Sequence, residues 1–334
     1  MRIAVDAMGG DFAPEQIVEG AHLAAGEVDA IIALAGSPEA IESCLRAHGA
    51  RPGNIEIEPA TDVIAMGESP RAALRGRDGS SVARAVALVA DGRAQAVVSA
   101  GNSGAFMALS AVRLGTIPGV RRPAIACPMP SPTGPCVLLD AGANADCRPE
   151  HLRDFGLMGA IYAQHSLGIS DPRVAVLSIG EEKGKGNELT KAAYDLLADT
   201  GLNFIGNAEP ADIYNDVCDV AVCDGFVGNV VLKTSEGVAS LMVDQLKRLI
   251  RGRLALKLVS PLLRSGLKQM MREFDYSEYG GALLLGVNGV SIVGHGCSDA
   301  RAIRNAVRFA HVAVHSRLVE HISEVFAQRA ETVA

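Results

Sequence analysis

Polar side chains beside glycines recur in this chain, and the richest example lies at residues 221–237. Backbone N–H groups at a helix N-terminus point outward and favour an anion or a developing oxyanion. An apolar run there is followed by an acidic residue, a two-glycine turn, an amide and a lysine, namely Asp224, Gly225, Gly228, Asn229 and Lys233. These residues predict an anion-binding turn with reactive side chains around it.

Three other segments also combine a short apolar run with glycines and polar side chains. Each has two interpretations, a ligand-binding wall or a capped turn without a ligand. In open α/β sheets, ligands bind outside the carboxyl ends of the strands, so we expect these segments to gather at one such edge. Their candidate substrate-binding residues are Asp6, Gly9, Gly10 and Asp11, then Gly101, Asn102 and Ser103, then Asp140 and Asn144.

Two further candidates are a lysine and a histidine. Lys185 belongs to the charged, glycine-containing run 180–187, which either faces a ligand or is simply solvated. His295 lies between two glycines after an apolar run. We assign both, with Asp224 and Asn229, to the candidate catalytic group.

The familiar cofactor motifs do not occur. Residues 99–104 lack the Gly-Lys-Ser/Thr ending of a P-loop, and no Gly-x-Gly-x-x-Gly turn follows the first apolar run. The acidic residues of 140–146 do not have calcium-loop spacing, and His311 and His315 lack the glutamate of a zinc protease helix. We therefore expect no cofactor and no metal.

Composition limits the class of protein. The chain has 334 residues, 49% of them hydrophobic, and a net charge of −7, which argues against nucleic acid as the main partner. Seven cysteines without a Cys-x-x-Cys pair indicate reduced thiols in the cytoplasm. No signal peptide and no apolar run of about 20 residues is seen.

Alternating apolar and alanine-rich runs predict an α/β fold. We expect one α/β catalytic domain over 1–334, with two lobes as an alternative. Strands are predicted at 3–5, 30–35, 55–58, 96–99, 124–127, 136–139, 174–178, 283–287 and 291–293, and a further short one just before Asp224. Residues 60–80 are predicted to be irregular, a long helix to begin near Val230, and a last helix near Asp299.

A basic segment follows that long helix. Pro261 and Gly266 divide it, so a basic amphipathic helical hairpin over 245–275 is predicted, suited to a membrane surface or an acidic partner, or else a solvated dimer arm. No acidic residue occurs between Asp244 and Glu273, whereas the basic ones include Lys247, Arg248, Arg251, Arg253, Lys257, Arg264 and Lys268.

Taken in order, the motifs resemble one family. The chain is similar to bacterial phosphate acyltransferases over almost its whole length, with Ser103 where threonine is usual and Leu283 where proline is usual. The motifs that carry the resemblance are Asp6-Ala-Met-Gly-Gly-Asp11, Ser99-Ala-Gly-Asn-Ser-Gly104, Leu139-Asp-Ala-Gly-Ala-Asn144, Gly180-Glu-Glu with Lys185-Gly-Asn-Glu-Leu-Thr190, Cys223-Asp-Gly-Phe-Val-Gly-Asn229 with Leu232-Lys-Thr-Ser-Glu-Gly237, Tyr279-Gly-Gly281 and His295-Gly296.

The resemblance implies a three-layer α/β/α fold with a mostly parallel sheet, similar to phosphotransacetylase and isocitrate dehydrogenase, in a homodimer. It implies transfer of a long-chain fatty acyl group from acyl carrier protein to inorganic phosphate. A membrane glycerol-3-phosphate acyltransferase would then use the acyl phosphate for phospholipid synthesis, which implies a cytoplasmic, peripherally membrane-associated enzyme. The basic segment would contact the acidic carrier or anionic lipid.

Three other functions stay open at this point. An acyl-CoA-dependent phosphotransacetylase would share the chemistry without needing the basic segment. A decarboxylating dehydrogenase of the same fold class would bind a metal and a nicotinamide. A membrane-peripheral scaffold acting through 245–272 would leave the glycine-rich segments without a role.

Overall fold

A computed structural model of the protein describes residues 1–49, 51–252 and 280–333. Most of the predicted basic hairpin, residues 253–275, lies outside the described residues. The described part contains eleven strands: β1 (Arg2–Asp6), β2 (Ile31–Gly36), β3 (Ile55–Pro59), β4 (Ala96–Ser99), β5 (Ala124–Met129), β6 (Cys136–Leu139), β7 (Val174–Leu177), β8 (Phe204–Ala208), β9 (Val220–Val222), β10 (Ala282–Leu285) and β11 (Val290–Val293).

Helices cover both faces of the sheet that these strands form. They are α1 (Glu15–Ala25), α2 (Pro38–Ala47), α3 (Pro70–Ala73), α4 (Ser81–Ala90), α5 (Ser103–Arg113), α6 (Pro149–Leu167), α7 (Glu188–Ala198), α8 (Gly225–Gly252), α9 (Ala300–His315) and α10 (Leu318–Val333). One core contains α1, α2, α6, α7, α9 and α10, and the other contains α4, α5 and the start of α8. The predicted three-layer α/β/α architecture is confirmed.

Strand direction reverses within this single sheet, whose order is β3-β2-β1-β4-β11-β10-β5-β6-β9-β7-β8. The first five strands in this order run parallel, as do the last four. Between them, β10 is antiparallel to β11 and β5, and β5 is antiparallel to β6. The two parallel blocks therefore point their carboxyl ends at opposite edges of the sheet.

The two edges are nevertheless close, because the strands are short. One row of paired residues crosses the sheet from Val98 on β4 to Leu139 on β6. Ser99 follows Val98 and Asp140 follows Leu139, but because the two strands run in opposite directions, Ser99 and Asp140 lie on opposite sides of this row. The offset between Ser99 and Asp140 along the strand direction is therefore only about 7 Å, while the four strand spacings between β4 and β6 amount to about 19 Å. The row is Val98, Ile292, Leu283, Ala126 and Leu139.

The structure differs from the sequence-based predictions in several elements. Helix α8 begins at Gly225 rather than near Val230, because the Asp224 carboxylate accepts a hydrogen bond from the Val227 N–H and caps the helix. Within the predicted irregular segment 60–80 lies the short α3, and β8 was not predicted. In place of the last predicted helix the structure has two helices, which are divided near Arg317, a residue with a φ of 51°. Among the helices of the described ranges, none is long and apolar enough to cross a membrane.

Helix α8 lies directly against the end of β6. A side chain at Gly228 would place its Cβ 1.9 Å from the carbonyl oxygen of Asp140, so the helix can approach this closely only with glycine there. Gly237, nine residues further along α8, has nothing within 4 Å of its Cβ position.

We expect Gly228→Ala to lower the free energy of unfolding by about 3 kcal/mol, since helix and strand must separate. The matched control Gly237→Ala should raise it by about 0.5–1 kcal/mol through helix propensity. Urea unfolding of both variants measures the difference. Equal effects of the two substitutions would contradict the close approach.

Candidate functional site

The carboxylate of Asp140 organises the end of β6. It is fully buried and accepts five hydrogen bonds. Its Oδ1 accepts from the N–H groups of Ile125 (2.9 Å), Gly142 (3.1 Å) and Ala143 (2.9 Å), and its Oδ2 accepts from the backbone N (2.7 Å) and Nδ2 (2.9 Å) of Asn144. These contacts make Asp140 and Asn144 positioning residues here, and their predicted contact with substrate stays a prediction.

The N-terminus of α8 rests on this arrangement, which we call the Asp140 cluster (Asp140, Gly142, Asn144 and residues 224–229). The Gly225 N–H donates to the Asn144 carbonyl at 2.7 Å. The Val227 and Gly228 N–H groups donate to the Asp224 carboxylate and carbonyl, both at 2.9 Å. Asp224 is buried, whereas Asn229 is exposed and its side chain faces Gly142. Asn229 is thus an exposed polar member of the cluster that a substrate can reach.

A second cluster forms at the opposite edge, around Asp6, Gly9, Gly10, Asp11, Ser99, Gly101 and residues 294–296; we call it the Asp6 cluster. The Ser99 hydroxyl donates to Asp6 Oδ2 at 2.7 Å and accepts from the Gly101 N–H at 3.2 Å. The Asp11 N–H donates to the Gly296 carbonyl at 2.8 Å. A Cβ at Gly9 would lie 2.9 Å from the Gly101 N, so glycine lets these loops touch.

Asn102 links the Asp6 cluster to a segment that sequence reasoning missed. Its Oδ1 caps α5 by accepting from the Ala105 N–H at 3.0 Å, and its Nδ2 donates to the carbonyls of Ala65, Met66 and Glu68 at 3.1, 2.9 and 2.7 Å. The side chain predicted to bind substrate therefore anchors residues 65–68. The only signal in the sequence was the position of Asn102 before a helix.

Arg77 holds the same segment from the other side. Its guanidinium pairs with Asp62 and with Glu68 (Nη1 to Oε2, 2.7 Å) and donates to the Val63 carbonyl at 2.8 Å. Residues 61–79, which include α3 and which we call the covering loop, thus lie beside the N-terminus of α5. At that N-terminus the first helical N–H groups, those of Ser103 and Gly104, lack intrahelical acceptors, as helix geometry requires, and can bind an anion.

Helix α8 connects the two clusters. From Gly225 to Lys233 it rises about 12 Å, which carries Lys233 towards the Asp6 cluster. Lys233 Nζ lies 3.4 Å from His295 Nε2 and 2.9 Å from Glu236 Oε2. Burial and the neighbouring Glu236 carboxylate raise the pKa of the Cys127 thiol to about 12. The candidate site therefore contains the Lys233 ammonium and the His295 imidazole side by side.

Lys185 lies elsewhere. It belongs to the loop after β7, on the edge that carries Asp140, and is exposed. Its aliphatic chain covers Gly180, and its N–H donates to the Glu182 carbonyl at 2.9 Å. The expectation that all the strand-end segments gather at one edge is wrong, because the strand reversal divides them. Lys185 joins the Asp140 side, while Asp6, Asn102 and His295 form the other; its catalytic role stays a prediction.

Two of the predicted carrier-binding residues are described in full. Lys247 is exposed and lies 3.8 Å from Asp244, and Arg248 is exposed one residue later on α8. Arg251 belongs to the last turn of that helix. Arg253, Lys257, Arg264 and Lys268 lie outside the described residues.

Comparison with known proteins identifies the family. Residues 1–321 match the model of the fatty acid synthesis protein family. A phosphate acyltransferase of Pelotomaculum thermopropionicum is 50% identical over 96% of this chain and 94% of its own length. One from Thermodesulfovibrio yellowstonii is 49% identical over 99% and 96%.

The chain belongs to the phosphate acyltransferase family. It is therefore an acyltransferase enzyme, as the motifs predicted, and family membership implies phosphate and an acyl donor as substrates. Among solved structures, a phosphotransacetylase from Streptococcus pyogenes has a TM-score of 0.61 and 17% identity over 96% of this chain and 94% of its own. EutD phosphotransacetylase from Staphylococcus aureus has a TM-score of 0.58, with 17% identity over 94% of both chains. These two likenesses confirm the predicted fold.

The buried Asp6 of this phosphate acyltransferase makes the free energy of unfolding depend on pH. Burial raises the pKa of its carboxyl group above the usual range, against the opposing hydrogen bonds from Ser81 and Ser99. The folded state thus binds a proton more tightly than the unfolded chain, whose aspartates titrate near about 3.9. This contribution to stability is present at low pH and is lost as the pH rises through the folded pKa.

We expect Asp6→Asn to raise the free energy of unfolding at pH 7, and this gain to shrink as the pH falls towards 4. Urea unfolding at a series of pH values measures it. Asp11→Asn, at the exposed end of the same loop, controls for loss of a negative charge. A gain that stays constant across the range would rule out the buried charge as its cause.

Proposed function

We propose that this phosphate acyltransferase moves a long-chain fatty acyl group from acyl carrier protein to inorganic phosphate. The product, an acyl phosphate, serves phospholipid synthesis, where a membrane glycerol-3-phosphate acyltransferase consumes it. The observation that carries the proposal is the 3.4 Å contact between Lys233 Nζ and His295 Nε2, which joins the Asp140 and Asp6 clusters. A two-substrate reaction needs such a junction, because the nucleophile and the acyl carbonyl must meet.

The reaction requires little of the protein beyond positioning of the two substrates. Phosphate is partly dianionic near neutral pH, and a thiol with a pKa of about 8.5 is a fair leaving group. The reaction therefore requires an anion site, donors for the developing oxyanion and correct alignment of the two substrates. It requires neither a nucleophilic triad nor a metal.

The geometry supports the following roles. Phosphate binds at the N-terminus of α5, at the Ser103 and Gly104 amides, where the helix dipole favours an anion. Lys233 neutralises charge that develops on phosphate or on the carbonyl oxygen, and His295 orients or protonates. Asn229, exposed at the start of α8, holds the acyl donor, while the buried Asp224 fixes that helix start.

One assay of acyl phosphate formation tests the donor and the acceptor. The protein is mixed with a long-chain acyl carrier protein and inorganic phosphate, and acyl phosphate is trapped as a hydroxamate. We expect product only when both substrates are present. A preference for acyl-CoA over acyl carrier protein would instead favour the second candidate, a phosphotransacetylase, which the fold likeness to phosphotransacetylases supports.

We expect Lys233→Ala to lower kcat/KM for phosphate by about 100-fold, since it removes the cation beside the reacting groups. Lys183→Ala is the matched control, because this lysine pairs on the surface with Asp195 at 2.9 Å and lies over the Tyr194 ring. It should stay within about twofold of wild type. An activity of Lys233→Ala equal to that of the control would remove Lys233 from the mechanism.

We further propose that the basic face of α8 and the following segment contact the acidic carrier and an anionic membrane, and that the enzyme is a homodimer. The double variant Lys247→Glu/Arg248→Glu should raise KM for acyl carrier protein about tenfold at low salt and leave kcat unchanged. Arg46→Glu, exposed on α2, shows how much a reversed surface charge outside α8 changes KM.

Three measurements decide between the partners. A KM that the double variant does not change would contradict carrier docking at these residues. Binding to anionic vesicles, measured by flotation with the same two variants, tests the membrane contact separately. Sedimentation equilibrium tests the dimer.

A further inference from the structure

Cys297 differs from the other cysteines in its surroundings. It is exposed at the loop between β11 and α9, and its Sγ lies 3.0 Å from His295 Nδ1. The Cys297 N–H also points at Nδ1, at 3.4 Å, and in the tautomer whose Nδ1 accepts this N–H the same nitrogen can take the thiol proton. The opposite ring nitrogen faces the Lys233 ammonium. An accessible thiol with an adjacent base and a nearby cation is the setting that makes cysteines reactive.

The remaining cysteines are buried or half-buried. Burial raises the pKa of the Cys147 thiol to about 11 and that of Cys127 to about 12, and it raises those of Cys44 and Cys223 as well. Cys136 and Cys218 face each other in the core with sulfurs 3.7 Å apart. Reagents that need a thiolate and access from solvent should therefore distinguish Cys297 from the other six.

The position of Cys297 connects the thiol to the candidate site. The preceding residue, Gly296, accepts the Asp11 N–H, and a Cβ there would lie 2.6 Å from the Met66 side chain of the covering loop. His295, two residues earlier, contacts Lys233. A group attached to Cys297 would thus stand beside both the Asp6 cluster and the Lys233–His295 contact.

We propose that Cys297 is a modification site at which a small disulfide reversibly blocks the enzyme. In the step, His295 Nδ1 takes the thiol proton, and the Cys297 thiolate attacks one sulfur of a low-molecular-weight disulfide. A new S–S bond to Cys297 forms, the original S–S bond breaks, and the other half leaves as a thiolate that is then protonated. Excess small thiol reverses the exchange, so no further oxidant or reductant is needed.

Labelling of the whole protein under native conditions tests the reactivity without relying on the proposed function. Dithiodipyridine releases an absorbing thione at each exchange, and peptide mass mapping locates the adduct. We expect one equivalent per chain in a fast phase, mapped to Cys297 and at least about tenfold faster than any other cysteine. A fast phase that maps elsewhere, or that persists in Cys297→Ser, would overturn the proposal.

Two histidine variants test the role assigned to the imidazole. His295→Gln should slow the fast phase at least about fivefold, because the thiol loses its base. His315→Gln is the matched control, since this histidine is exposed at the end of α9 and contacts His311 instead. An unchanged rate in His295→Gln would remove His295 from the exchange.

The blocking effect is measured separately and rests on the proposed function. Treatment with glutathione disulfide should lower acyl phosphate formation at least about tenfold in wild type, with recovery after dithiothreitol, and leave Cys297→Ser unaffected. Inorganic phosphate should slow the labelling of wild type. Full activity of a stoichiometrically labelled enzyme would show that Cys297 is reactive but does not block the site, and would overturn the regulatory half of the proposal.

Discussion

The reversal of strand direction between β11 and β6 is the constraint on which the site depends. A uniformly parallel sheet would collect every carboxyl end at one edge. Here Ser99 and Asp140 leave a common row of residues in opposite directions. Two polar clusters result, and an element that crosses the sheet must join them. Helix α8 does so, because its first turn lies on the Asp140 cluster and its third turn brings Lys233 to His295.

The buried carboxylates of the two clusters differ in how far hydrogen bonds compensate their charge. All five N–H groups around Asp140 point at its oxygens, so the charge is compensated and the turn is rigid. Asp6 is almost as deeply buried, but the Ser81 and Ser99 hydroxyls offset the effect of burial only in part, and its Oδ1 has no partner within hydrogen-bond distance among the described residues. A carboxylate left so weakly compensated lowers stability, which is the usual sign of a residue kept for the site rather than for folding.

Much of this arrangement can be predicted from local sequence, and the features that cannot be predicted have identifiable physical causes. Apolar runs that end in a glycine and a polar residue mark the strand ends at Asp6, Ser99, Asp140 and Asp224 correctly, because burial on both sheet faces leaves a continuous apolar signature, whereas β8 was not predicted. Strand direction depends on pairing between distant segments, so the division into two edges left no local trace. The same is true of Asn102, whose side-chain amide donates hydrogen bonds to carbonyl oxygens of residues more than thirty positions away in the sequence.

The length of α8 sets a condition on how a carrier protein would deliver its acyl group. The helix is continuous from Gly225 to Gly252, and Lys233 and Lys247 are fourteen residues apart on it. At the rise of an α-helix, that separation is about 21 Å. A carrier docked at the basic end would therefore need an extended arm of roughly that length to present its thioester to Lys233. Because both lysines belong to one continuous helix, the helix itself fixes the distance between them.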